Sequence, residues 1–246
     1  MNAKLSFYCA VAAIALIAND LNAAADRLPA TPTPAQIYST EGLLYLQLGQ
    51  WPQALASYRK ALAEFRAADD LMGLGQTCCQ LGVMMLQQNR YERARRWAEI
   101  ALYSFTKVGR TDDNSSLVRI HYAAALHLLG TVNFHQGHYA LAVKQFEKVL
   151  AIRYELHDQM GEALVMADLG RAYQAQAKYW YALACYEGAL DICQPLEAAL
   201  EGGWFEAKVR CLMARLCRAC GHQDLAIKHH LEALALGAEL GSSISP

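Results

Sequence analysis

The stretch EGLLYLQLGQWPQALASYRKAL, residues 41–62, decides the fold because its pattern of small, aromatic and apolar residues returns along the chain. It recurs as LGVMMLQQNRYERARRWAEIAL (81–102), LGTVNFHQGHYALAVKQFEKVL (129–150) and LGRAYQAQAKYWYALACYEGAL (169–190), and more weakly as MARLCRACGHQDLAIKHHLEAL (213–234). Self-similarity of this kind predicts a solenoid, in which each unit buries its apolar face only against its neighbours.

The residue types at matched positions within the block can be explained physically. A small residue near the start, where the first helix of a pair must approach its neighbour closely, is found at Gly42, Gly82, Gly130, Gly170 and Ala214. Seven residues later comes a residue expected to end that helix in the left-handed conformation, at Gly49, Asn89, Gly137, Ala177 and Gly221. An alanine expected at a second close helix contact follows in every copy, at Ala54, Ala94, Ala142, Ala182 and Ala226.

The pattern resembles the tetratricopeptide repeat family over roughly residues 35–240. Its small residues are 40, 48, 40 and 44 positions apart instead of the family's usual 34, which is similar to the long-repeat variety found in scaffolding members. The resemblance implies an all-α fold, an α-solenoid of about five antiparallel helix pairs in a right-handed superhelix. The predicted repeats lie near residues 36–69, 75–108, 115–156, 161–196 and 205–240.

The amino terminus allows three interpretations. Residues 5–18 are apolar and Ala23, Ala24 and Ala25 form a small-residue cleavage site, so residues 1–25 fit a secretory signal peptide. The alternatives are a degenerate capping helix pair or a peripheral anchoring helix. Residues 26–35 are predicted to be a proline-rich linker and residues 241–246 a disordered tail. The compartment is exported or periplasmic if residues 1–25 are cleaved, and otherwise cytoplasmic.

Composition excludes some classes of function. The chain is 54% hydrophobic and 18% charged with a formal net charge of −1, so nothing global favours nucleic acid or an anionic membrane. Membrane contact is expected only through the apolar N-terminal segment. The eight cysteines lie mostly within apolar helical patterns, where cysteine behaves as a small hydrophobe. Most are predicted to be reduced core residues, which favours a reducing compartment.

In the tetratricopeptide repeat family the first helix of each pair lines the concave surface that partners occupy. Carrying the repeat offsets over gives a predicted partner-binding groove with an apolar, amide-rich half and a basic half suited to carboxylates. Its residues are Gln47, Gln80, Leu86, Gln87, His127, Phe134, His135, Arg171, Gln174, Lys208, Arg215 and Arg218. The alternative for the arginines is a solvated polar cap on the last pair. A further cluster, Arg90, Arg93, Arg95 and Arg96, is predicted to be a solvated convex face.

The sequence gives little support to the binding of chaperone tails known in the family, to a metal site or to an enzymatic activity. Members that clamp acidic chaperone tails use lysine and asparagine where this chain has Ser39, Leu43 and Gln80. Cys217, Cys220 and His222 are the one metal-like group, but the two cysteines occupy positions typical of the core, so no metal or other cofactor is predicted. Neither a GxxxxGK[ST] loop nor an HExxH motif occurs.

The sequence therefore predicts a non-enzymatic protein–protein interaction scaffold or complex-assembly factor. It would bind a helix or an extended segment of another protein in its groove, within a larger complex, and no nucleic acid. The alternative is a peptide-sensing regulatory protein of the same fold.

Overall fold

The computed structural model describes residues 32–111, 116–200 and 203–243, and every regular element within these ranges is an α-helix. The helices are α1 (Pro34–Gln47), α2 (Trp51–Ala67), α3 (Leu71–Gln87), α4 (Tyr91–Thr111), α5 (Ser116–His135), α6 (Tyr139–Glu155), α7 (Gln159–Ala175), α8 (Tyr179–Leu200), α9 (Trp204–Ala219) and α10 (Gln223–Ser243). This confirms the all-α class and the succession of helix pairs. We call α1, α3, α5, α7 and α9 the first helices and the others the second helices.

The helix bounds show where the extra repeat length lies. α4 and α8 have 21 and 22 residues, whereas α2, α3, α6 and α7 have 17 each. α1 begins at Pro34, inside the predicted 26–35 linker, because Thr33 and Gln36 form a reciprocal capping box there. α10 continues to Ser243, so residues 241–243 are helical instead of belonging to the predicted tail. The segment 1–25 lies outside the described residues.

The chain forms two compact units. Unit 1 runs to Gln136 and contains α1–α5, and unit 2 begins at Gly137 and contains α6–α10. Within each unit every helix packs against the next along the chain, and the first helices also contact one another: α1 with α3 and α3 with α5 in unit 1, and α7 with α9 in unit 2. Each unit therefore has a layer of adjacent first helices, which we call its first-helix layer. The boundary between the units falls within the third predicted repeat.

The glycines near the start of each block lie where helices approach closely. A Cβ on Gly42 would lie 2.5 Å from Cδ1 of Tyr58, and one on Gly170 would lie 2.7 Å from Cδ1 of Tyr186. Both tyrosines are fully buried on the paired second helix. Gly82 differs, since its closest neighbour is Leu128 on α5. The alanines that follow the turns are at most 1% exposed, namely Ala54, Ala94, Ala142, Ala182 and Ala226.

The five turns inside the pairs confirm the predicted left-handed positions. The φ angles are +70° at Gly49, +57° at Asn89, +81° at Gly137, +58° at Ala177 and +83° at Gly221. The residue after such a turn donates its N–H to a carbonyl five positions earlier: Gln50 to Tyr45 at 2.8 Å and Lys178 to Tyr173 at 3.0 Å, as in a Schellman motif.

Two turns between pairs were not predicted in this detail. Asp69 and His157 have φ of +52° and +55°. The next residue, Asp70 or Asp158, accepts a hydrogen bond at 2.8 Å from the backbone N–H three positions on. These aspartates satisfy donors at the starts of α3 and α7, which fixes where the following first helix begins.

Candidate partner-binding surface

Polar side chains join neighbouring first helices in unit 1. Ser39 on α1 donates a hydrogen bond to Oε1 of Gln80 on α3 at 3.2 Å, and its hydroxyl lies 3.4 Å from that of Thr77. Gln76 on α3 and His121 on α5 have their Nε2 atoms 2.8 Å apart. The first-helix layer of unit 1 therefore carries a row of hydrogen-bonded amide, hydroxyl and imidazole groups.

The structure places the predicted groove residues of unit 1 in different environments. Gln47 and His135 are exposed, whereas Gln87, His127 and Phe134 are half-buried. Gln80 is only 7% exposed, and its Oε1 already accepts the Ser39 hydrogen bond. Leu86 is half-buried and packs against the apolar core. The accessible part of this predicted set is therefore mainly the side chains near the C-terminal ends of α1, α3 and α5.

His135 lies within an aromatic cluster at the end of α5. Its ring stacks on Tyr91 with centroids 5.6 Å apart and meets Phe134 edge-on at 5.5 Å. The hydroxyl of Tyr91 donates to Oδ1 of Asn89 at 2.9 Å. The cluster offers flat apolar surface with polar edges, which suits contact with another protein.

Arg95 corrects one sequence interpretation. Arg90, Arg93 and Arg96 are exposed, as a solvated face requires, but Arg95 is half-buried. Its guanidinium donates to Oδ1 of the fully buried Asn133 at 2.7 Å and also to Gln136. Arg95 therefore joins α4 to the end of α5. The sequence did not indicate this role, because the register of the repeats does not predict which side chains contact each other.

Unit 2 brings most of its predicted groove residues together on two adjacent first helices. Arg171 on α7 forms an ion pair with Asp168 at 2.7 Å, and Gln174 accepts a hydrogen bond from the Tyr186 hydroxyl at 3.0 Å. Burial raises the pKa of Tyr186, and the positive charges of Arg171 and Arg215 oppose that rise. Both guanidinium groups therefore act electrostatically on the same buried hydroxyl.

The remaining predicted residues lie on α9. Lys208 is half-buried with its Nζ 5.7 Å from the ring centroid of Phe205, and Arg215 and Arg218 are exposed. Because Asp168 offsets the charge of Arg171, the accessible positive charge of this set comes mainly from Arg215 and Arg218. Guanidinium groups suit carboxylates because they donate in a bidentate manner.

An aromatic patch on unit 2 was missed at the sequence level. The Tyr173 hydroxyl donates to Glu147 at 3.0 Å, and its ring lies 5.3 Å from that of Tyr181. Burial, followed by the Glu147 carboxylate, raises the pKa of Tyr173 to about 12. Trp180 is 84% exposed. The run Tyr179-Trp180-Tyr181 could have indicated this patch in the sequence. Of these residues, only Tyr179 occupies a position at which most repeat blocks have an aromatic residue.

The cysteines in the described part of the chain do not gather with other metal-binding side chains into a group of three or more. Cys217 is buried and Cys220 is exposed, and within the described ranges no three His, Cys, Asp or Glu side chains gather as a metal site requires. Burial raises the pKa of Cys78 to about 12 and that of Cys185 to about 11. These two thiols are therefore protonated near neutral pH. None of the helices in the described part of the chain is long and apolar enough to cross a membrane.

Comparison with known proteins agrees with this architecture. A curated relative, the 43 kDa receptor-associated protein of the synapse from Tetronarce californica, is 23% identical over 229 residues; the match covers 79% of this chain and 55% of that protein. The chain thus spans about half of that relative's length.

Two solved structures have the same fold. BtubC from P. vanneervenii has a TM-score of 0.70 at 19% identity, and the match covers 99% of this chain and 92% of that one. A signal-transduction ATPase with a tetratricopeptide repeat sensor from Pyrococcus horikoshii has a TM-score of 0.69 at 15% identity, covering 85% and 30%.

The family follows from a direct sequence match. The family model described as tetratricopeptide repeat matches residues 33–102 and 121–194, which together make up more than half of the chain. These stretches include four of the five repeat blocks. The chain therefore belongs to the tetratricopeptide repeat family.

Proposed function

We propose that this chain is a non-enzymatic scaffold that holds a segment of a partner protein along its first-helix layers. The observation that carries the proposal is the pair Arg171 and Arg215. They occupy the same repeat position on successive first helices, α7 and α9. Cations at repeated positions on adjacent helices suit an elongated ligand better than a single small molecule.

The chemistry of each layer suggests how the segment would be held. In unit 1 the side-chain amides of the exposed Gln47 and the half-buried Gln87 would bond to a peptide backbone, beside the aromatic cluster of Tyr91, Phe134 and His135. In unit 2 the exposed Arg215 and Arg218 would pair with acidic side chains or a terminal carboxylate. We therefore expect the partners to contain an acidic segment.

The proposal can be tested by capturing partners with two variants that differ only in which pair of arginines is reversed in charge. The variant Arg215→Glu/Arg218→Glu reverses two exposed charges on α9. The control Arg93→Glu/Arg96→Glu reverses two exposed charges on α4, a second helix. Wild type and control should recover the same partners, cross-linked through first-helix residues and identified by mass spectrometry. The α9 variant should recover them at least about tenfold less.

Equal recovery by the two variants, or cross-links confined to second helices, would contradict the proposal. The peptide-sensing alternative stays a prediction. It requires a short peptide to bind and to change small-angle scattering of the chain, whereas a scaffold binds its partner segment with little such change.

A further inference from the structure

The last helix of unit 2 carries an exposed apolar face. Ile227, Leu231 and Leu234 on α10 are 57%, 62% and 69% exposed. Their spacing of four and three residues places them on one side of the helix. A second helix whose outer side faced only water would be expected to carry polar residues there.

The same repeat positions within the units show what such a face contacts. The residues that correspond to Leu234 and Ile227 in the earlier copies are all buried or half-buried: Leu62, Leu102, Leu150 and Leu190 for Leu234, and Leu55, Arg95, Val143 and Leu183 for Ile227. On these second helices the following first helix packs alongside. α10 thus keeps the residue types of a contact between successive pairs. At the position of Leu231 the earlier copies have the exposed charged residues Arg59, Glu99, Glu147 and Glu187.

The first helix of unit 1 carries the opposite half of this contact. Ile37 and Leu44 on α1 and Leu48 directly after it are 44%, 54% and 61% exposed. The residues equivalent to Ile37 on later first helices are Thr77, Ala125, Val165 and Val209, which are 0%, 0%, 2% and 0% exposed. Those equivalent to Leu44 are Met84, Val132, Ala172 and Leu216, none more than 3% exposed. These positions are covered wherever a second helix precedes the first helix.

We propose that the chain self-associates head to tail, with α10 of one copy packing against α1 of the next. The contact would continue the pairing of second helix with following first helix that recurs inside each unit. Opposite charges support it: the exposed Glu41 lies between Ile37 and Leu44 on α1, and the exposed Lys228 lies one turn before Leu231 on α10. This inference goes beyond the proposed function, since it uses faces of α1 and α10 and none of the residues proposed to hold a partner segment.

The geometry of the contact predicts the kind of assembly. Because the two faces differ, each copy has one free α1 face and one free α10 face, and addition of copies does not close a two-fold dimer. Three aliphatic side chains on each side make a contact smaller than a standard stable interface. The assembly should therefore be reversible and grow with concentration.

Sedimentation velocity over about 1–200 μM tests the proposal. The weight-average mass of wild type should rise with concentration. Leu44→Glu and Leu234→Glu should each weaken association by about tenfold or more. Tyr154→Glu is the control, because Tyr154 is 69% exposed and lies on α6, a helix that carries neither face. Circular dichroism should show all three variants folded.

Mixing the two face variants gives the decisive measurement. Leu44→Glu keeps an intact α10 face and Leu234→Glu an intact α1 face, so an equal mixture should form a one-to-one dimer that does not extend. A wild type that stays monomeric to about 200 μM overturns the proposal, as does a mixture without dimers. A monomeric wild type whose melting temperature falls with Leu44→Glu also overturns it, because the α1 face is then covered within the same copy.

Discussion

Gly170→Ala should destabilise unit 2 although alanine is the better helix former. Gly170 lies inside α7, and exchanging a helical glycine for alanine alone stabilises by about 1 kcal/mol. The new methyl group would lie 2.7 Å from Cδ1 and 3.0 Å from Cζ of the Tyr186 ring, which is fully buried. Overpacking a rigid core site costs about 1–3 kcal/mol, and a ring enclosed on all sides places this site near the upper end. We expect a net loss of about 2 kcal/mol.

Gly188→Ala on α8 is the matched control. Its methyl group would meet the terminal Cε of Met166, a half-buried side chain that can change rotamer. The helix-propensity gain should then largely remain, giving a change between zero and about +1 kcal/mol. The two variants should differ by roughly 2–3 kcal/mol in the free energy of unfolding.

The assay is urea denaturation followed by circular dichroism, with calorimetry as a second measurement. For a unit of about 100 residues the expected loss lowers the melting temperature by roughly 10 °C. In a Tyr186→Leu background the cost of Gly170→Ala should disappear, because the ring atoms that the methyl group meets are gone. If Gly170→Ala is as stable as Gly188→Ala, the close-approach explanation of the repeat glycines is wrong.

The other predictions concern a side-chain network, a strained turn and alkaline pH. Arg95→Ala should lower the free energy of unfolding by about 1–3 kcal/mol, because it removes a charged hydrogen bond to the buried Asn133. The neighbouring exposed Arg96→Ala should change it by less than about 0.5 kcal/mol; equal effects would contradict the network. Ala177→Gly should stabilise by about 1 kcal/mol in chemical denaturation, because φ of +58° strains alanine but not glycine; a loss would mean that the turn is unstrained. The stability should also fall as pH rises from about 9 to 11, since unfolded thiols ionise near pH 9 while Cys78 and Cys185 stay protonated in the fold up to about pH 12 and 11. Urea midpoints at pH 8 and 10.5 check this, and an unchanged midpoint would contradict it.

The sequence predicted the parts of the fold that depend on local backbone chemistry. Gly49, Asn89 and Gly221 mark helix ends because few residue types adopt a positive φ without strain, and all three have it. Even Ala177, an unfavourable residue for this conformation, was found through its register in the repeat. The helix pairs follow from these turns together with the spacing of apolar residues.

Side-chain partners could not be predicted in the same way. Register placed Gln80 on a first helix but gave no sign that Ser39 would donate to it, since the two are 41 residues apart. Arg95 looked like its neighbours in the charge run, yet its position on the face of α4 toward α5 brings it to Asn133. Residues 1–25 lie outside the described part of the chain, so the three interpretations of that segment stay predictions.

One repeat position indicates how recognition can vary without loss of the fold. Leu43, Val83 and Thr131 occupy it in unit 1 and are all less than a tenth exposed, whereas Arg171 is half-buried and Arg215 exposed in unit 2. The residue just before it, glycine or alanine in every copy, makes the close helix contact. Arginine is tolerated beside that contact because the Arg171 guanidinium pairs with Asp168, while the Arg215 side chain is exposed to water. Substituting these two arginines should therefore change which segments bind while leaving the stability of the solenoid unchanged, whereas enlarging the preceding Gly170 should destabilise unit 2.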